Sequence, residues 1–337
     1  MKSDMKKCLL LACLFGLIGL FHPAAAQQIP SQDIMLSQYE YPFPVKFISV
    51  HAQGQVLSMA YMDVLPAKPN GKTILLLHGK NFNGAYWDST AAALRDAGYR
   101  VVMPDQIGFG KSSKPAHFQY SFQQLALNTK ALLDTIGVKK TAVLGHSMGG
   151  MLAARFALMF PGTTEKLILE NPIGLEDWKT MVPYMSIDQW YKGELAQNYQ
   201  EIKAYQLNSY YAGHWSPAYE KWASLLASWI TAKEYPLVAW NSALTYDMIF
   251  TQPVVYEFKD IRVPTLLIIG QRDRTALGKA LVAAEVRAKM GNYPELGKKT
   301  AKAIPGAKLV PLDNVGHLPH IEAFSRFIEP LKKFLAQ

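Results

Sequence analysis

Ser147 lies between two glycines in Gly145-His146-Ser147-Met148-Gly149, directly after the apolar pair Val143-Leu144 and before an alanine-rich run. A serine hydroxyl is almost never ionised near neutral pH, so it attacks a carbonyl only when a base removes its proton at the same time. Histidine suits that duty, because its unperturbed pKa is about 6.5. A buried carboxylate behind the ring fixes the tautomer and stabilises the imidazolium. The chain offers both partners in the order Ser-Asp-His: Asp273 follows the apolar run Leu266-Leu267-Ile268-Ile269, and His317 closes Leu312-Asp313-Asn314-Val315-Gly316-His317. Attack also leaves a negative oxygen that needs backbone donors. The N–H of Met148, in the first turn after the serine, is expected to be one, and that of Lys80, in Leu77-His78-Gly79-Lys80, the other.

These residues must be carried to one place by rigid elements. Buried-type strand runs occupy 73–77, 100–103, 141–144, 167–169, 265–269 and 308–311, and two alternating runs about Gln53-Gly54 predict an antiparallel hairpin over 47–64. Helix-like segments at 83–97, 121–136, 148–160 and 320–334 fall between or after them. Strands separated by helices predict an α/β fold, a mainly parallel sheet with both faces covered. Asp273, His317 and Ser147 would then emerge at its carboxyl edge, where such sheets hold ligands.

One interval interrupts the alternation. Residues 171–256 lack a strong strand run yet hold six of the seven tryptophans and ten of the seventeen tyrosines, which marks an all-helical insertion packed by its own rings. Helices are expected near 187–205 and 218–231. Two or three of Trp178, Tyr184, Trp190, Tyr210, Tyr211, Trp215 and Trp240 are expected to line an apolar pocket over the sheet.

Other chemistries lack their residues. The histidines show no metal-ligand spacing. Gly110-Lys111-Ser112 matches the end of a phosphate-binding loop, but Asp105 stands where its upstream glycine belongs, so 105–110 reads as a tight wall of the site and no cofactor is expected. His78 and His146 are read as structural hydrogen-bonding groups, and His320 as a helix cap or surface residue. The formal charge of +9 comes from scattered lysines, which implies solubility and not nucleic-acid recognition.

Residues 1–26 read as an export signal. Lys2, Lys6 and Lys7 precede an apolar run at 9–21 and the small residues Ala24, Ala25 and Ala26. The run is shorter than the roughly 20 residues a membrane helix needs, so no stable membrane insertion is expected after cleavage. The expected location is periplasmic or secreted. Cleavage would remove both cysteines, Cys8 and Cys13, and lower the charge to +7 by taking three lysines and one aspartate.

On His78-Gly79, 105–110, Gly145 to Gly149, Gly270 to Asp273 and Gly316-His317, the chain from about residue 47 onward resembles the α/β-hydrolase superfamily, in the serine-nucleophile branch with a helical cap domain. The resemblance implies an eight-stranded, mostly parallel sheet, with a hydrolase core at 27–170 and 257–337 and a cap at 171–256. It implies Ser147, Asp273 and His317 as the catalytic set and Lys80 and Met148 as oxyanion donors. A serine at the turn speaks against haloalkane dehalogenases and epoxide hydrolases, which use aspartate there. Two departures stand out. Asp273 and His317 are 44 positions apart, more than the resemblance implies, so 278–300 is expected to be an extra helix or loop narrowing one side of the pocket. Lys80 replaces an apolar or small residue; it is expected to face solvent, or, if turned inward, to attract a substrate carboxylate. The expected activity is hydrolysis of a small to medium ester, thioester or lactone through an acyl-enzyme. A carbon–carbon bond hydrolase or amidase on the same groups is the alternative, and a non-catalytic binding protein with this fold is another.

Overall fold

Short runs of leucine and β-branched residues such as Ile74–Leu77, Ala142–Leu144 and Leu266–Ile269 form the central strands, because these are buried on both faces. The computed structural model describes residues 29–337, so the expected export signal lies outside the described residues. β1 (Val45–Ala52) and β2 (Gln55–Val64) form a hairpin whose two turn residues, Gln53 and Gly54, both take positive φ, 51° and 72°. That is the turn whose twist matches paired strands. β3 (Thr73–Leu77), β4 (Arg100–Pro104), β5 (Thr141–His146), β6 (Thr164–Glu170), β7 (Thr265–Gly270) and β8 (Lys308–Leu312) complete an eight-stranded sheet of order β1-β2-β4-β3-β5-β6-β7-β8. β2 runs antiparallel to both neighbours, and every pairing from β4 to β8 is parallel.

The two-residue period of the strands divides the core. Leu75, Leu77, Val143, Leu167, Leu169, Leu267 and Ile269 face one side, with α2 (Phe122–Thr135), α3 (Met148–Met159) and Tyr293 of α9 (Tyr293–Ala303). Ile74, Leu76, Leu144, Ile168, Leu266 and Ile268 face the other, with α1 (Asp88–Asp96) and α11 (Phe324–Ala336). β4 lies on one side of β3 and β5 on the other, so the crossovers diverge and a crevice opens beyond the carboxyl ends of β3 and β5.

The chain between β6 and β7 is helical: α4 (Ile187–Leu195), α5 (Tyr199–Tyr205), α6 (Glu220–Ala227) and α7 (Tyr235–Thr251). The single helix expected over 187–205 is two. Asn198 starts the second, its side chain accepting from the Glu201 N–H at 3.0 Å while the Glu201 carboxylate accepts from the Asn198 N–H at 3.2 Å. The stretch after β7 also differs from expectation. α9 packs on β7 and β8 through Gly297, against Ile269 and Leu309, and so is the regular crossover between parallel strands. The addition is the shorter piece before it, containing α8 (Ala284–Arg287). The short α10 (Pro319–Glu322) precedes α11. Among the described residues no helix is long and apolar enough to cross a membrane.

Leu76 is fully buried whereas Leu127 is 48% exposed. Leu76→Ala should lower unfolding free energy by about 2–5 kcal/mol, and Leu127→Ala by no more than about 0.5 kcal/mol, as read from urea denaturation midpoints.

Candidate active site

Ser147 joins β5 to α3 at φ 57° and ψ −122°, a conformation that costs about 1–3 kcal/mol and persists only where its surroundings enforce it. They do so here: the Ser147 N–H donates to the Glu170 carbonyl at 3.3 Å, and the Ser147 carbonyl accepts from Gly150 at 2.9 Å and Ile173 at 3.2 Å. The flanking glycines are required by close approach. A Cβ on Gly145 would fall on the Gly149 carbonyl, and one on Gly149 would fall on the Leu77 carbonyl.

Asp273 and His317 meet beyond the ends of β7 and β8. Nδ1 of His317 lies 2.6 Å from Oδ2 of Asp273, both side chains being fully buried. The carboxylate also accepts from the Asn171 amide at 2.7 Å and the Thr275 N–H at 2.8 Å, and Asn171 in turn accepts from the Gly270 N–H at 2.8 Å. A carboxylate so held cannot rotate away from the ring. On its other side Nε2 of His317 is buried without a hydrogen-bond partner among the described residues. Ser147 does not hydrogen bond to it. Such bonds are often open in unliganded hydrolases and close around substrate. The two residues share neighbours: Tyr210 stacks on the His317 ring at 5.0 Å, and Tyr210 and Thr275 line the same small chamber as Ser147.

The loop after β3 is tied into this arrangement by a chain of hydrogen bonds with one consistent direction. The Gly79 N–H donates to the Tyr86 hydroxyl at 2.9 Å, Tyr86 donates to Nδ1 of His146 at 3.0 Å, and Nε2–H of His146 donates to the His317 carbonyl at 2.8 Å. The Gln106 N–H donates to Nε2 of His78 at 3.0 Å, so Nδ1–H of His78 donates to the Gly79 carbonyl at 2.9 Å. In a trans peptide this turns the Lys80 N–H away from His78. Met148 is the first residue of α3, where helix N–H groups have no partner within the helix. Burial pushes the pKa of His78 down, and burial with His317 and His320 nearby pushes that of His146 well down. Both are therefore neutral scaffolding groups.

His320 is neither a cap nor a surface residue. It is buried, and its N–H and Nδ1 both lie 2.8 Å from Oε1 of Glu170. The reason is tertiary: β6 delivers Glu170 underneath the start of α10.

Of the seven cap aromatics singled out, Trp178 and Tyr210 line the chamber at Ser147, a cavity of about 40 Å³. The other five do not line it. Tyr184 is 57% exposed and bonded to Asp247, Trp190 stacks on Tyr246, Tyr211 stacks on Tyr219 with Trp215 at its edge, and Trp240 donates to the Ala116 carbonyl. These five stabilise the cap by packing or hydrogen bonding elsewhere. The narrowing expected from 278–300 comes instead from Thr275, Ala276 and Leu277, which wall the chamber directly after Asp273.

Lys80 does not face solvent. Its side chain turns inward, with Nζ 2.6 Å from Ser242 Oγ, 3.4 Å from the centre of the Tyr246 ring and 4.0 Å from a Glu194 oxygen. Lys80, Asn81, Tyr205 and Tyr246 form the boundary between the chamber and a larger cavity of about 320 Å³ under the cap. Of 105–110, expected to wall the site, Gly108 and Phe109 line that larger cavity and none lines the chamber at Ser147.

A family model described as alpha/beta hydrolase fold matches residues 72–324. The chain belongs to the alpha/beta hydrolase family. A solved structure of a probable hydrolytic enzyme from Pseudomonas aeruginosa PAO1 superposes on this hydrolase with a TM-score of 0.90 at 53% identity, over 91% of this chain and 99% of that one. Two more distant relatives are named for an activity. Lipase 1 of Psychrobacter immobilis is 26% identical over 78% of this chain and 77% of its own. A 2-hydroxy-6-oxononadienedioate/2-hydroxy-6-oxononatrienedioate hydrolase of Comamonas testosteroni is 27% identical over 75% of this chain and 89% of its own.

Several residues of this alpha/beta hydrolase site escaped the sequence reading. Asn171 carries a faint signal, as an asparagine directly after β6 at φ 36°, a backbone that asparagine tolerates. Tyr86, Asn81 and Ser242 carry none, because only the folded chain brings them to the site.

Asp273→Asn removes the charge behind His317 while keeping its shape, and should lower kcat by on the order of 10³- to 10⁴-fold with KM little changed; steady-state assays of the variant check this. His78 and His146 bind protons in the unfolded chain before they do in the folded one, so the stability they support is present above about pH 6.5 and lost as pH falls below it. Thermal unfolding midpoints should fall between about pH 6.5 and 5.

Proposed function

We propose that this hydrolase cleaves a carbon–carbon bond beside a carbonyl in a small, oxygen-rich substrate, with Ser147 as nucleophile, His317 as base, Asp273 as its orienter, and the N–H groups of Lys80 and Met148 as oxyanion donors. One observation carries the choice of substrate. The cavity beyond the serine chamber sets Lys80, Asn81, Glu194, Gln197 and Ser242 among Phe109, Ile202, Leu226, Trp229, Val238 and its tyrosines, a mixed lining that would hold charged groups against a long acyl chain. The relative from Comamonas testosteroni, named as a hydrolase of hydroxy-oxo dioates, supports the same choice.

In this reading His317 takes the Ser147 proton as Oγ bonds to the carbonyl carbon. The tetrahedral alkoxide then reforms its carbonyl and breaks the carbon–carbon bond. The released electron pair spreads into a conjugated ketone as an enolate, which takes the proton from His317. Water, deprotonated by the same ring, attacks the acyl-serine; the Oγ–carbonyl bond breaks, Oγ takes the proton back from His317, and a carboxylic acid is freed. The same groups would cleave an ester or lactone, with an alkoxide leaving in place of the enolate. That second reading is favoured by the likeness to Lipase 1 and by the export-type leader, and location outside the cytoplasm remains part of the proposal. A purely binding role is disfavoured by the intact Asp273–His317 pair facing an orphan Nε2.

Turnover of a vinylogous 1,5-diketone and of p-nitrophenyl acyl esters should be compared in one preparation. The diketone is expected to show a kcat/KM at least about tenfold higher, abolished in Ser147→Ala. Turnover of the esters alone would overturn the carbon–carbon reading in favour of the second.

A further inference from the structure

The Lys80 side chain is not needed by the cycle above, which uses only its backbone. Yet it brings a cation inside the protein, with only 9% of the side chain exposed, at the junction of the two cavities. An ammonium has three N–H donors. One is met by Ser242 Oγ at 2.6 Å, and the ring of Tyr246 accepts the charge on one face. The nearest carboxylate oxygen, on Glu194, stands 4.0 Å off, too far for a hydrogen bond, and is itself held by the Gln197 amide at 3.1 Å. A buried cation is costly unless it is paired and hydrogen bonded, and this one retains donor capacity on the wall of a cavity that opens beside the nucleophile.

We propose that the substrate carries a carboxylate and that the Lys80 ammonium binds it at the junction, placing the scissile carbonyl at Ser147. The proposal rests on the reading that substrate reacts in the Ser147 chamber, but not on which bond is cleaved there. A neutral substrate would cover the ammonium without replacing its lost water. A cationic one would meet it as a like charge. Glu201 faces the same cavity and repels a carboxylate that strays from Lys80, whereas Glu194, 4.0 Å from Nζ, opposes part of the attraction at the junction itself. The ammonium is also poorly compensated: burial, only partly offset by Glu194, draws its pKa down to about 8. The other titratable groups facing it are Glu194 on α4, Glu201 and Tyr205 on α5, Tyr210, and Tyr235 and Tyr246 on α7. Burial holds the tyrosine hydroxyls above their ordinary range. Lys80 is therefore the group that loses its charge as pH passes about 8.

Isothermal titration calorimetry on full-length Ser147→Ala, which cannot turn substrate over, tests this with glutarate against glutaramide. Glutarate should bind at least about tenfold more tightly at neutral pH, the scale of one hydrogen bond to a charged group. The preference should shrink to about twofold or less in Ser147→Ala/Lys80→Met, and likewise in Ser147→Ala alone at about pH 9.5, where Lys80 is neutral. The pH arm needs no change at position 80, so misfolding of the double variant would leave the test intact. Glutarate binding no tighter than glutaramide, or a preference indifferent to both Lys80→Met and pH, overturns the proposal. Because no bond is broken, that failure is distinct from a failure of the carbon–carbon reading. Fluorophosphonate labelling of the wild type at Ser147 separately reports whether the chamber is the reactive site.

Discussion

The site depends on one close approach: the first turn of α3 lies so near the end of β3 that the Gly149 backbone meets the carbonyls of Leu77 and His78. Any side chain there would push the helix from the sheet. With none, the strained Ser147 turn is pressed against the loop that carries Gly79 and Lys80. The candidate nucleophile and both candidate oxyanion donors are thereby neighbours as a consequence of sheet packing, before any side chain chooses a rotamer. The strain at Ser147 is offset by the large apolar burial on either side of β3 and β5.

Around that contact the polar groups form a closed frame. Gly79, Tyr86, His146 and the His317 backbone are linked in one direction, while Asn171 and Thr275 hold Asp273 from the other side. Nearly every buried polar atom in the frame has a partner. The exceptions include Nε2 of His317, the atom that the proposed cycle would use to exchange a proton. In a low-dielectric interior an unpartnered nitrogen is expensive; this one fits the role proposed for His317, while Glu170 Oε2 and His320 Nε2 are likewise unpartnered among the described residues.

Much of this was legible from residues alone, and for identifiable reasons. The strands showed because burial on both faces demands uninterrupted apolar runs such as Thr73–Leu77 and Thr265–Gly270. Ser147, Asp273 and His317 showed because each follows such a run, and a parallel sheet sends every such residue to the same edge. What failed depends on contacts that no local pattern encodes. Lys80 turns inward because Ser242, 162 positions later, and Tyr246 on the same helix receive it. His320 is buried because Glu170, 150 positions earlier, waits beneath it. The cap rings were countable, but which of them face the serine follows from how four helices pack, and aromatic side chains bury equally well in either direction.

The small volume beside Ser147 also orders events in time. A space of about 40 Å³ admits a water molecule or two but not a water alongside a departing fragment. In the proposed cycle the first product would therefore leave toward the wider cavity before hydrolytic water takes up its place. In that cycle the room available at the chamber would keep water from the acyl-serine until then, and the two parts of the substrate would leave in succession.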